Sequence, residues 1–302
     1  MDAGWLRGIF PPIPTAFAAS GALRLPVTGF LEWLRDGGLD GVVALGSNGE
    51  AANLTEAERL EWIRSVRAVL PTPLRLVAGT GAESTLATIE RTRAAAAEGA
   101  EAALVIAPSY FRRQLTAESL RTHYHAVAEA SPIPVLIYNI PVHMGYDLGL
   151  EWIIRLTGHP NLAGIKESSG DIARLPQLRA QLGRDFVLLA GAGEKMVEAL
   201  EAGADGAIAA LANVAPHAMA GIRRAWLEGR LDQARHLQRS IAPLGQALTG
   251  GYGVPGLKAA VRLLGHDHGD PRLPLPPLPV SELPALRRLL EDAGLMPRAL
   301  AS

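Results

Sequence analysis

Short, almost unbroken apolar runs alternate along the chain with longer segments in which apolar residues recur every three or four positions. Eight such runs are legible: Gly8 to Thr15, Gly41 to Leu45, Arg75 to Ala78, Ala102 to Ile106, Val135 to Asn139, Leu162 to Lys166, Phe186 to Ala190 and Gly206 to Ala210. Continuous rather than alternating runs are expected of parallel strands covered on both faces. Between them, Leu60, Ile63 and Leu70, then Leu120, Tyr124 and Val127, then Leu175, Leu178 and Leu182 stripe single helical faces, which are expected to pack on the sheet. Thr55 and Glu58 have the spacing of a helix-starting capping box.

A weak internal repeat carries the same message. Segments beginning at Gly38, Gly99 and Gly203 share one shape, a helix-ending glycine followed by a buried strand, and their spacing fits two and four βα units. Eight units of that length predict an α/β fold, a TIM (β/α)8 barrel over residues 1–229. After about Arg230 the strand pattern stops. Leu237, Ile241, Leu244 and Leu248 continue a helical stripe, which predicts a C-terminal helical extension over 230–302, with Pro271 to Pro279 as an ordered connector.

Composition narrows the function. The chain has 302 residues, 48% of them hydrophobic and 20% charged, and a formal net charge of -1, which excludes disordered and collagen-like classes. No basic block is present, so nucleic acid is not an expected partner. The absence of cysteine removes disulfides, thiolate metal sites and cysteine nucleophiles. Neither a secretory leader nor an apolar stretch of membrane-spanning length is visible, and a cytoplasmic location without membrane association is expected.

Barrel chemistry sits at strand exits. Lys166 ends the Leu162 run, where burial disfavours the ammonium and favours a nucleophilic amine. Positive charge is otherwise supplied by arginine: there are three lysines, Lys166, Lys195 and Lys258, against twenty-six arginines. Arginine cannot form a Schiff base, so a lysine kept at this position points to a use for its amine. Gly46-Ser47-Asn48-Gly49-Glu50 follows the Gly41 run and can turn backbone N–H groups toward an anion, with Glu50 expected to orient the helix rather than act as a base. Tyr138 ends the Val135 run, within reach of a proton-relay role, and Tyr110 lies in the loop after the Ala102 run, where packing or interface roles are commoner. The pairs His123/His125 and His266/His268 lack a third ligand nearby, and no metal site is expected.

Together these exits resemble the dihydrodipicolinate synthase and N-acetylneuraminate lyase family of pyruvate-handling class I aldolases. The resemblance spans most of the chain and rests on Gly46 to Glu50, Ala78 to Gly81, Pro108 with Tyr110, Tyr138 to Pro141 with Gly145, Gly164 to Lys166, and Leu189 to Gly191. It implies that Lys166 forms a Schiff base with pyruvate or a 2-keto acid, with no separate cofactor, and that Tyr138 shuttles protons. Ser47 and Asn48 would hold the pyruvyl carboxylate, with Gly191 also in the substrate-binding set. Tyr110 would reach a neighbouring subunit across a tight dimer, commonly within a tetramer.

One position departs from the synthases, which carry a carboxylate-clamping arginine after the tyrosine motif; His143 stands there in this chain. An imidazole offers no bidentate fork and is mostly neutral at pH 7. Gly46 to Glu50, Ser131 to Val135, Leu211 to Val214 and Tyr252 to Lys258 look closer to 4-hydroxy-2-oxoglutarate aldolases, where a serine two residues beyond the lysine helps hold substrate; Ser168 occupies that place. The leading expectation is therefore retro-aldol cleavage of a 4-hydroxy-2-keto acid. Dihydrodipicolinate synthase, a 2-keto-3-deoxy sugar acid aldolase or dehydratase, and a catalytically silent keto-acid binder are the alternatives.

Overall fold

Small and β-branched residues build seven short parallel strands in a computed structural model, which describes residues 3–25 and 27–297. The strands are β1 (Gly41–Ala44), β2 (Arg75–Gly79), β3 (Ala102–Ile106), β4 (Val135–Asn139), β5 (Leu162–Glu167), β6 (Val187–Ala190) and β7 (Gly206–Ala207), hydrogen-bonded in chain order. Helix α1 (Thr28–Asp36) precedes β1, and α2 (Glu56–Val69), α3 (Thr85–Ala97) and α4 (Ala117–Ala130) follow β1 to β3 in turn. After β4 come the one-turn α5 (Pro141–Met144) and α6 (Gly149–Leu156); α7 (Arg174–Leu182), α8 (Met196–Glu201) and α9 (Pro216–Leu227) follow β5 to β7. Every residue of β1, β4 and β6 is buried, as strands covered by helices on the outside and side chains on the inside must be.

The first expected strand is a correction. Gly8 to Thr15 forms only isolated bridges, Ile9 with Ala207 and Pro12 with Val43. Pro11, Pro12 and Pro14 have no N–H to give to a ladder. The segment nevertheless joins the two edges of the sheet. Phe10 N donates to Ala207 O at 2.9 Å and Ala207 N to Gly8 O at 2.9 Å, while Ile13 N donates to Val43 O at 3.0 Å and Val43 N to Pro11 O at 2.9 Å. The sheet thus closes into the TIM-type barrel. The last run is also shorter than expected, since β7 ends at Ala207 rather than Ala210.

Beyond Gly229 the chain adds α10 (Leu231–Ala247), α11 (Gly253–Leu263) and α12 (Leu283–Asp292). One apolar cluster takes in Leu31, Val42 and Val214 together with Ile241, Leu257 and Leu286, so the core runs across residue 230. The 271–279 connector is anchored, with Arg272 donating to Asn53 O at 2.8 Å and to Glu58 Oε1 at 2.7 Å. Residues 1–2, Pro26 and 298–302, which fall within the expected barrel and extension, lie outside the described residues. Among the described residues no helix is long and apolar enough to cross a membrane.

Candidate active site

Strands β4 and β5 lie side by side with Tyr138 paired in register with Lys166, so both side chains leave the sheet on one face. The Lys166 Nζ sits 4.1 Å from the centroid of the Tyr138 ring, and both residues are buried. At the exit of β1, Ser47 Oγ is 3.4 Å from Tyr138 Oη, a hydrogen bond that either hydroxyl can donate. Ser47 and Asn48 are half-buried in a 3-10 turn (Ser47–Gly49), and the turn is bracketed by two non-glycine residues in the left-handed region, Leu45 at φ 58 and Glu50 at φ 55.

Glu167 follows Lys166 but alternates to the opposite face of β5. There it accepts from Asn139 Nδ2 at 3.0 Å, from Ser169 N at 2.7 Å and from Arg174 Nη1 at 3.4 Å. Asn139 Nδ2 also donates to Asp147 Oδ1 at 2.9 Å, and Arg174 binds the same carboxylate. The Arg174 guanidinium, helped by Asn139, holds the Asp147 carboxyl down to about 2. This network, buried at Asn139 and Glu167 and open to solvent at Asp147, ties together the ends of β4 and β5, and with them the relative placement of Tyr138 and Lys166. Asn139, Asp147, Glu167 and Arg174 were not singled out from the sequence. The signal present was the adjacency of Asn139 to Tyr138 and of Glu167 to Lys166.

Ser168 N donates to Asn139 O at 2.9 Å, which continues the ladder past Lys166. Its Oγ is buried and has no hydrogen-bond partner among the described residues. A Cβ on Gly191 would lie 2.0 Å from that oxygen, so residue 191 must be glycine for the Ser168 hydroxyl to stay where it is. His143, on α5, remains exposed; crowding by the surrounding loop and then the charge of Lys166 lower its pKa, leaving a neutral ring near pH 7.

Tyr110 is placed differently. Glu83 accepts from Ser109 N at 3.0 Å and Tyr110 N at 2.9 Å, and this anchored loop presents Tyr110, 77% exposed, edge-on to the exposed Phe111. Within one chain it is not buried with Lys166 and Tyr138. The groove of about 330 Å³ between α2 and α3, lined by Arg59, Thr80, Glu90 and Arg91 among others, holds none of the expected site residues.

The histidine pairs have structural partners. His123 shares a hydrogen bond with Thr85 Oγ1 at 3.0 Å, and His125 Nε2 lies 3.1 Å from Leu156 O. His266 and His268 follow α11 in a loop rather than on a helix, with His268 packed edge-on against Phe30. Among the described residues no group of three or more His, Asp or Glu side chains could hold a metal ion.

A family model described as the dihydrodipicolinate synthetase family matches residues 5–293. The chain is 38% identical over 297 residues to 4-hydroxy-tetrahydrodipicolinate synthase of Xanthomonas axonopodis pv. citri, covering 95% of each chain. It is 36% identical over 288 residues to the enzyme of that name from Methanothrix thermoacetophila, covering 94% of this chain and 96% of the other. A crystal structure of the chloride-inhibited dihydrodipicolinate synthase from Acinetobacter baumannii, complexed with pyruvate, superposes with a TM-score of 0.91 at 34% identity, covering 96% of this chain and 99% of that one.

Proposed function

Because the chain belongs to the dihydrodipicolinate synthetase family, we propose that it forms a Schiff base at Lys166 and cleaves 4-hydroxy-2-oxoglutarate, or a similar 4-hydroxy-2-keto acid, to pyruvate and an aldehyde. Members of the family are carbon–carbon lyases, and this protein is an enzyme of that kind. The observation that carries the reading is the Lys166 amine lying 4.1 Å over the Tyr138 ring, with the Tyr138 hydroxyl linked to Ser47. An amine and a proton relay then share one dry strand end.

In this reading the amine of Lys166 adds to C2 of the keto acid, and the former carbonyl oxygen, taking a proton from the Tyr138 hydroxyl, leaves as water to give a protonated imine. Electrons of the C3–C4 bond flow into the imine as the C4 hydroxyl gives its proton back to the Tyr138 oxygen, which Ser47 steadies by a hydrogen bond. The aldehyde leaves, and C3 of the enamine takes that proton from Tyr138. Water then hydrolyses the imine, releasing pyruvate and restoring the amine. Ser47 and Asn48 are donors for the pyruvyl carboxylate, and the unpartnered Ser168 hydroxyl is a further donor beside Gly191. Assembly into a dimer or tetramer belongs to the same proposal, supported by the exposed Tyr110 and Phe111.

A neutral His143 in place of the clamping arginine favours the aldolase over the synthase reaction. Synthase activity is the second reading. It draws support from the names of the relatives and from Arg112, whose Nε would lie 3.4 Å from a Cβ at Gly145, two residues beyond His143. Incubation with pyruvate and borohydride, followed by mass mapping, should place the reduced adduct on Lys166 and on neither Lys195 nor Lys258, and Lys166→Arg should abolish it. Label elsewhere, or none, defeats the Schiff-base mechanism. Pyruvate release from 4-hydroxy-2-oxoglutarate should exceed condensation of pyruvate with aspartate semialdehyde in kcat/KM, and the reverse order makes the protein a synthase.

A further inference from the structure

The turn that would hold the pyruvyl carboxylate is fastened from far along the chain. Glu50 closes it, and the Glu50 Oε1 lies 2.7 Å from Nζ of Lys258 on α11, with both side chains sealed from solvent. Glu50 Oε2 accepts from Arg272 N at 2.8 Å. Lys258 also donates to Asp270 O at 3.1 Å and rests 4.3 Å from the centroid of the Phe17 ring. From the N-terminal segment, Thr15 Oγ1 donates to Gly49 O at 2.5 Å. Three distant parts of the sequence therefore converge on five residues.

The pairing has a geometric purpose that burial alone does not explain. A buried ion pair gives little net stability relative to an apolar replacement, whereas removal of one partner leaves a buried charge that must move or take up a proton. Glu50 is a non-glycine residue in the left-handed region, a conformation that persists only where its surroundings over-determine it. Lys258 shares that constraint with Arg272 N, and supplies the full charge paired with the buried carboxylate. Should the carboxylate seek water, Glu50 would leave φ 55, and the N–H groups and hydroxyl of Ser47 to Gly49 would turn with it.

We infer that Lys258 is a positioning residue: through Glu50 it holds the Gly46 to Glu50 turn in the shape that binds the substrate carboxylate, so the helical extension sets substrate affinity without touching substrate. The inference rests on the proposed Schiff-base reading and deepens it.

The test uses the full chain and pyruvate as probe, and reads the pyruvate concentration that half-saturates borohydride trapping at Lys166, together with the maximal trapping rate. Lys258→Met should raise the half-saturating concentration by about tenfold or more, leaving the maximal rate within about twofold, because carboxylate placement changes and the amine does not. Glu50→Gln, which keeps the side-chain volume and an acceptor for Lys258, should show a smaller shift in the same direction and decides the question if Lys258→Met does not fold. Asp205→Asn serves as control: it weakens another ion pair of the barrel, the less shielded Arg179 with Asp205 at 2.6 Å, at the opposite end of the strands, and should lower thermal stability without moving half-saturation. Unchanged half-saturation in both turn variants, or an equal shift in the control, overturns the positioning role. No adduct in the wild type instead overturns the Schiff-base reading, a result separate from an adduct whose half-saturation ignores Lys258.

Discussion

At the scale of single residues, Tyr138 has three jobs that pull its substitution in different directions. Its ring carries the Lys166 amine, its hydroxyl meets Ser47, and its backbone is one rung of β4. Tyr138→Phe removes only the hydroxyl, so the fold and the Lys166 adduct should survive. Turnover should fall by about 10²-fold or more, the scale expected on losing a positioned acid–base group. Wild-type steady-state rates in the variant would return Tyr138 to a packing role. His143 decides substrate rather than chemistry. His143→Arg restores a bidentate cation at the mouth of the site, and its kcat/KM for aspartate semialdehyde should rise relative to wild type. If it does not, Arg112 or another group already supplies that charge.

At the scale of elements, what was legible in the sequence was what is local. Thr55 caps α2 with Glu58 in a complete capping box, three residues apart. Gly38, Gly99 and Gly203 carry φ of +79, +92 and +98, so the repeat did mark helix ends that only glycine adopts easily. Lys166 could be singled out because a strand end is a local position. Its partnership with Tyr138 came from the family resemblance and not from spacing, since register between strands whose rungs are 28 residues apart is set by the closing sheet. The Glu50–Lys258 pair spans most of the chain and leaves no trace in spacing. Where the first run failed to become a strand, proline was the reason: Gly8 to Thr15 has the apolar content of a strand but lacks the N–H groups to be one.

At the scale of the whole molecule, two buried imidazoles tie stability to pH. Burial lowers His123, on α4, and His268, after α11, from 6.5 to about 4. A histidine freed by unfolding regains its ordinary pKa, so below pH 6.5 the unfolded chain binds protons that the native protein refuses. The stability these groups contribute is present in full above pH 6.5 and is lost as the pH falls toward 4. Across that window each can remove at most about 3 kcal/mol, taking 1.36 kcal/mol per pKa unit. Glu58 and Asp147, each held at about 2 by an arginine partner, act in a second and lower window, because their carboxylates must take up protons only below the ordinary carboxylate range. The melting temperature should therefore hold steady from pH 8 to 7, decline between pH 6.5 and 4, and decline further below pH 4. Replacing His268 with Gln lowers the plateau but flattens the first decline, since one of the two most strongly shifted proton acceptors is gone. A melting temperature that stays constant from pH 7 to 4.5 would show that both rings accept protons in the native state, and that burial between α3 and α4 and against Phe30 does not exclude the charged form.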